Sequence, residues 1–367
     1  MNNTPPSHTY SAVISIIVAL SGVLISLLLL EIGVRIFVKD SGPQTAAWSD
    51  RPAFYYSASG RASMQGASYK VPKPPSTFRI AVVGDSFSFA PFMQFTDTFA
   101  AKLEGMLNLN NSMLKAEVIN YGVPAYSSTH EIEVAKQALA EGADLLLLQI
   151  TLNDPELKTE RPTGLAENLI DQFGPLKLEG RIGWIARRWK TLRFALERIH
   201  NSRTRDAYVR YFNNLFENPR TLYPFTNALR DMIGAARRAQ KPIVAVVFPL
   251  FGLPLDAQYP FYHLHEKMRR FMNETQVPYL DVSSIYDGIP LERLQVIPGV
   301  DRHPNEIAHR MAAESIYLWL ESQQLLPSEL LISQKFATRL GVTPQRAWNN
   351  TNRAHPATDT STAVKGE

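Results

Sequence analysis

Residues Phe78–Ser86 read FRIAVVGDS: a short, mainly apolar run halted by Gly84 and followed at once by two polar residues, Asp85 and Ser86. A run of strand length bounded by a glycine reads as a β-strand that ends in a tight turn. Four further runs of this kind follow, at Glu117–Asn120 (EVIN), Asp144–Ile150 (DLLLLQI), Pro242–Phe248 (PIVAVVF) and Val277–Asp281 (VPYLD). Helical periodicity separates them, at about 97–108, 129–141, 221–240 and 260–274, and a last helix is expected at 305–323. The strands are continuous apolar runs, not alternating ones, so both faces of the sheet must be covered. Strands and helices in alternation therefore predict a parallel sheet between two helical layers, a three-layer α/β/α sandwich.

Outward from this domain the sequence changes character. Ser11–Leu30 is SAVISIIVALSGVLISLLLL, twenty residues without a charge, and Glu31, Arg35 and Lys39 mark the return to water. At 1.5 Å per residue such a helix matches the hydrocarbon core of a bilayer, ~30 Å thick. The preceding MNNTPPSHTY lacks Lys and Arg and no small-x-small site follows the apolar run, so an uncleaved anchor is expected in preference to a removed signal peptide. The expected organisation is an anchor at 1–40, a linker at 41–76 ending in VPKPPS, a catalytic domain at 77–330 interrupted by an insertion at 155–220, and a polar tail at 345–367. The basic residues just after the span mildly favour a cytoplasmic domain.

Composition removes several chemistries. The 367 residues contain no cysteine, which excludes disulfides, thiolate metal sites and a cysteine nucleophile. His263 and His265 have no third ligand at suitable spacing, so neither a metal nor a cofactor is expected. The net charge of +4 is small, yet nine Lys/Arg fall between 181 and 210 against two acidic residues, Glu197 and Asp206. Trp184, Trp189 and Phe194 are interleaved with them. Two readings stay open for this stretch: a basic amphipathic helix whose aromatics pack on the core, or a lid or surface for anionic lipid or glycan. Nucleic acid is not an expected partner, and the sequence carries no information on oligomeric state.

The chemistry-bearing residues sit where strands end. In open α/β sheets, ligands bind beyond the carboxyl ends of the strands. Ser86 follows the first strand, where Gly84 permits the turn and Asp85 is expected to buttress it. Gly122 follows the second, Asn153 the third, and Asp301-Arg302-His303-Pro304-Asn305 leads into the last helix. Together these offer a nucleophile (Ser86), a base (His303), an orienting acid (Asp301) and oxyanion donors (the Ser86 and Gly122 N–H groups and the Asn153 amide). His309, six residues beyond His303, is expected to be structural.

This ordered set, GDS at 84–86, Gly122, Asn153 and the aspartate–histidine pair at 301–303, closely resembles the SGNH/GDSL hydrolase superfamily over about 78–325. The resemblance implies a flavodoxin-like sandwich, ester chemistry by a serine nucleophile, and an ester-bearing glycan or lipid as substrate. It also implies a bacterial, membrane-anchored type of member, with the catalytic domain on the outer, periplasmic side of the cytoplasmic membrane. The same residues would serve O-acyl transfer to a glycan, and a non-catalytic glycan-binding module is the third reading. Two departures stand out. Thr151 replaces the glycine that often precedes the third-block asparagine by two positions. The usual Asp-x-x-His spacing is shortened to Asp301-x-His303, with Val300 at the expected acid position.

Overall fold

The computed structural model describes residues 8–38, 69–110, 112–157, 176, 180–298 and 301–331. The expected tail at 345–367, Val300 and most of the linker at 41–76 lie outside the described residues. In chain order the elements are α1 (His8–Phe37), β1 (Thr77–Val83), α2 (Ser86–Phe89), α3 (Phe99–Leu107), β2 (Lys115–Asn120), α4 (Ser128–Ala140), β3 (Leu145–Ile150) and α5 (Gly180–Arg188). There follow α6 (Lys190–Glu217), α7 (Pro219–Arg238), β4 (Ile243–Val247), α8 (Tyr262–Glu274), β5 (Tyr279–Asp281), β6 (Gln295–Ile297), β7 (Asp301–Pro304) and α9 (Glu306–Ser322), with several 3-10 turns between. The chain divides into two compact units: Met1–Pro43 with Asn168–Tyr208, and Gln44–Glu167 with Val209–Glu367.

The larger unit is built on five parallel strands in the order β2-β1-β3-β4-β5. This is the doubly wound arrangement expected from the apolar runs, and its order reverses between β1 and β3, where such sheets open a crevice at their carboxyl edge. Ile80–Val83, Leu145–Leu148 and Val244–Val247 are essentially inaccessible to solvent, as double coverage requires. Helices cover both faces: α3 and α9 pack together, as do α4 and α7. Local signals fix where the helices begin. The Thr98 hydroxyl accepts from the Ala101 N–H to start α3, and Asn218 followed by Pro219 starts α7.

Two features lie outside the expected pattern. β6 and β7 form a small antiparallel pair where a loop is expected, with Gln295 opposite Pro304 and Ile297 opposite Asp301. Strands of three and four residues are too short to give a periodic signal. The second is Arg79, fully buried within a strand that reads as apolar. Its guanidinium donates to Glu117 Oε2 at 2.7 and 2.9 Å, to the Glu141 carbonyl at 2.5 Å and to the Lys70 carbonyl at 2.8 Å. It thereby ties β1, β2, the end of α4 and the segment before β1 into one polar cluster.

The smaller unit holds α1, α5 and the first part of α6. Apolar side chains are exposed all round α1 as far as Leu30, with a mean hydropathy of 2.9 over its most apolar 18 residues. A helix apolar on every face is suited to lipid. The carboxylate of Glu31, near the end of α1, accepts from the Lys190 N–H (2.9 Å), the Thr191 N–H (2.8 Å) and the Thr191 hydroxyl (2.7 Å), and so caps α6. Within this unit Trp184 is 53% exposed and Trp189 36% exposed, whereas Phe194 is half-buried.

Replacing Arg79 by Met removes a buried cation and strips Glu117 and two carbonyls of their donor. Since Glu117 is partly open to water, the expected loss is about 2–3 kcal/mol, below that for a fully buried pair. Chemical denaturation of the full chain in mild detergent measures it; a loss under about 0.5 kcal/mol, typical of surface changes, would refute the central role of this cluster.

Candidate active site

The turn after β1 is held by its neighbour β3. The Gly84 backbone lies so close to Gln149 that a Cβ on residue 84 would sit 2.3 Å from Gln149 Oε1. That oxygen accepts from the Asp85 N–H (3.2 Å) and the Ser88 hydroxyl (2.8 Å), while Gln149 Nε2 donates to Thr151 Oγ1 (2.8 Å). Thr151 in turn donates to Asp85 Oδ1 (3.3 Å). The same Asp85 oxygen accepts from the Phe87 N–H (2.9 Å) and caps α2. Ser86 is thus the first residue of a short helix, where an N–H has no partner within the helix.

His303 Nε2 lies 2.9 Å from Ser86 Oγ, and His303 Nδ1 lies 2.7 Å from Asp301 Oδ1. The shortened Asp-x-His spacing has a simple cause. Both residues lie on β7, and residues two apart on a strand project to the same side. The Asp301 carboxylate also accepts from the His303 backbone N–H at 2.9 Å, which fixes its orientation. The Phe87 ring packs against the imidazole with centroids 5.5 Å apart. Asn305 starts α9 with its carbonyl oxygen and donates its amide N–H groups to the Arg293 and Gln295 carbonyls, so the helix and the β6–β7 pair are joined at one residue.

Asn153 Nδ2 donates to Asp85 Oδ2 at 3.1 Å, so Asp85 bridges the nucleophile turn and the end of β3. An amide group carries two donors, and the bond to Asp85 uses one of them. Gly122 departs from expectation. Its N–H donates to Asn120 Oδ1 at 2.9 Å in this structure and does not stand free as a donor. Absence of a side chain is what this position requires: a Cβ would fall 2.6 Å from Ser88 Cβ and 2.7 Å from the Phe89 nitrogen.

Burial opposes protonation of His303, but the Asp301 charge, the hydrogen bond His303 donates to Asp301 and the field of Asp85 together raise its pKa above the usual imidazole value. His309 behaves oppositely. Burial, His303 and Lys102 depress it to about 3, and its Nδ1 accepts from the Phe99 N–H at 3.0 Å. His309 is a neutral link between α3 and α9. His265 pairs with Asp281 (2.9 Å), and among the described residues no cluster of ligands suits a metal ion.

Sequence reasoning missed Gln149 and Asn120, which hold the nucleophile turn from either side; Asn120 Nδ2 also donates to the Ser88 carbonyl at 2.6 Å. The available signal was a polar side chain at the end of an otherwise apolar strand.

No family model matches the chain, and no curated protein does. Solved structures are matched with low similarity. A putative lipolytic protein of the G-D-S-L family from Desulfitobacterium hafniense shares 14% identity, covering 65% of this chain and 96% of that one at a TM-score of 0.38. The acetylxylan esterase Axe2 from Geobacillus stearothermophilus shares 13%, covering 70% and 97% at 0.42. A two-domain esterase active on acetylated mannans shares 12%, covering 68% and 50% at 0.40.

Gln149→Leu keeps the bulk but deletes both bonds to the nucleophile turn. With a model ester, kcat is expected to fall about 10- to 100-fold with little change in KM, because a small displacement of the nucleophile costs rate more than binding. An unchanged kcat would show that the turn holds its shape without Gln149.

Proposed function

We propose that the chain is a serine ester hydrolase of the SGNH type, and the observation that carries this reading is the unbroken hydrogen-bonded sequence Ser86 Oγ–His303 Nε2 and His303 Nδ1–Asp301 Oδ1 at the carboxyl edge of the sheet. In this reading Ser86 Oγ attacks the carbonyl carbon of an ester while its proton passes to His303 Nε2. Asp301 holds the imidazole in the required tautomer and stabilises the imidazolium that forms. Negative charge develops on the carbonyl oxygen, where the Ser86 N–H and the Asn153 amide donate to it. Gly122 joins them only if its N–H exchanges the Asn120 oxygen for the substrate.

As the tetrahedral intermediate collapses, the bond to the leaving alkoxide breaks and His303 returns the proton to it. Water then attacks the acyl-enzyme with His303 again as base, releasing the acid and restoring the serine. A sugar hydroxyl in place of that water would make the same site an O-acyltransferase. The substrate class proposed is an ester, such as an O-acetyl group, on an envelope glycan or lipid. The apolar helix α1, long enough to cross a bilayer, supports a location at a membrane, with the catalytic domain proposed on the periplasmic side.

The direct test is intact-mass analysis after exposure to a fluorophosphonate. The wild type is expected to gain one adduct and Ser86→Ala none. No adduct on the wild type would overturn the catalytic reading and favour a glycan-binding module.

The pH dependence follows from His303. Only the neutral imidazole takes a proton, and its pKa is raised, so kcat/KM is expected to climb with pH through a limb lying above the ordinary imidazole value of about 6.5. Asp301→Asn removes the charge that raises it and leaves a neutral amide in place of the carboxylate. The limb is expected to move to lower pH, with activity down on the order of 100-fold or more. A limb that stays in place would remove Asp301 from its role.

A further inference from the structure

We propose that α5, with its junction to α6, is an interfacial foot: a basic, apolar surface that lies in the headgroup layer of an anionic bilayer beside the point where α1 leaves the membrane. The proposal rests on the reading that α1 crosses that bilayer, and goes beyond it by assigning a second membrane contact.

The first observation is a clasp of charges at the end of α1. Glu31 accepts from the Lys190 and Thr191 N–H groups and the Thr191 hydroxyl, in place of the carbonyls that would close the preceding turn of helix. Arg35 Nε donates to Glu31 Oε1 at 2.7 Å, and Arg35 Nη2 donates to the Arg188 carbonyl at 2.9 Å. Lys190 Nζ donates to the Val38 carbonyl at 2.7 Å. The two helix ends bind reciprocally: α1 supplies the N-cap of α6, and the α5–α6 junction supplies a donor to the Val38 carbonyl just past α1. Because the uncharged run of α1 stops at Leu30, this clasp sits at the depth where hydrocarbon gives way to headgroups. A carboxylate there is tolerable only with its acceptors filled, and Glu31 has four donors.

The second observation is what α5 leaves uncovered. Its buried residues are the small Gly183 and Ala186. Ile182 (60% exposed), Ile185 (41%) and the following Trp189 recur at helical spacing along one side, since the Trp189 N–H still donates to the Ile185 carbonyl. Beside this stripe Arg188 stacks on the Trp184 ring at 4.0 Å, which leaves an apolar ring with a cationic rim. The segment Gly180–Arg188 contains three arginines and no acidic residue. Indole rings and arginines around an apolar stripe match the layer where acyl chains meet anionic headgroups. The position of the clasp puts them beside that layer.

The test uses the absence of cysteine, which lets a single introduced thiol report without background. Full-length Ile16→Cys (in α1), Ile182→Cys, Ile185→Cys and Arg270→Cys (exposed on α8) are placed in nanodiscs containing phosphatidylglycerol, in phosphatidylcholine-only nanodiscs, and in lipid-free amphipol. Each is treated with a membrane-impermeant maleimide. In the anionic discs the thiols at 16, 182 and 185 are expected to react about ten-fold more slowly than the thiol at 270. At 182 and 185, but not at 16, the protection should weaken in phosphatidylcholine alone and vanish in amphipol. Protection at 16 with free reaction at 182 and 185 would overturn the foot and leave the span standing. Equal protection at 182 and 185 in all three settings would mean that protein covers the stripe, and would overturn it too. Free reaction at 16 would remove the span and the proposal with it.

Discussion

The backbone of Gly84 rests against the side chain of Gln149, closer than any other residue type would allow. From that contact the arrangement of the active-site edge follows. It lays the turn after β1 flat on β3, so that the Asp85 N–H and the Ser88 hydroxyl both reach one amide oxygen. With the turn pinned, Asp85 can cap α2 and still hold Asn153. On the other side Gly122 approaches the same short helix, again within a distance that excludes a Cβ. The short helix that begins at Ser86 is thus held between two glycine contacts, and the Ser86 hydroxyl lies 2.9 Å from His303 Nε2.

Electrostatics are layered on this steric frame. His303 meets two carboxylates in different roles: Asp301 bonds to it, and Asp85 acts on it only through space. Both favour the imidazolium, the state the imidazole would reach in the proposed transfer of the serine proton. Burial works against that state, and the two charges outweigh it. A few residues along the chain, His309 has burial without a carboxylate partner and stays neutral as a helix link. Two histidines on one side of the domain therefore differ in function because of what faces their ring nitrogens.

The parts of this structure that could be read from sequence share a physical cause. Parallel strands buried on both faces must be apolar throughout, so all five appeared as runs within about two residues of their observed limits. Catalytic side chains at strand ends stand out because such ends are otherwise short and polar. The supporting residues did not stand out. Gln149 and Asn120 look like ordinary strand termini, and only the fold reveals that they face the turn beside them. The β6–β7 pair was too short to register, which left the Asp301-x-His303 spacing looking irregular until the strand gave it a reason. For Trp184 and Trp189, periodicity showed a helix but not what would lie against it. That depends on which elements the fold brings alongside.

The proposed acid and base share one four-residue strand, whereas the proposed nucleophile follows a strand of the sheet. The two halves meet where Ser86 Oγ faces His303 Nε2 across 2.9 Å, where Phe87 packs on the imidazole, and where Ala90 and Met93 pack on Val296 and Ile297. Warming that loosens the hairpin would carry the aspartate–histidine pair away from Ser86 while both stay bonded to each other. In the proposed reading, activity therefore reports on the docking of a hairpin and spectroscopic melting on the integrity of a sheet, and the two need not share a temperature.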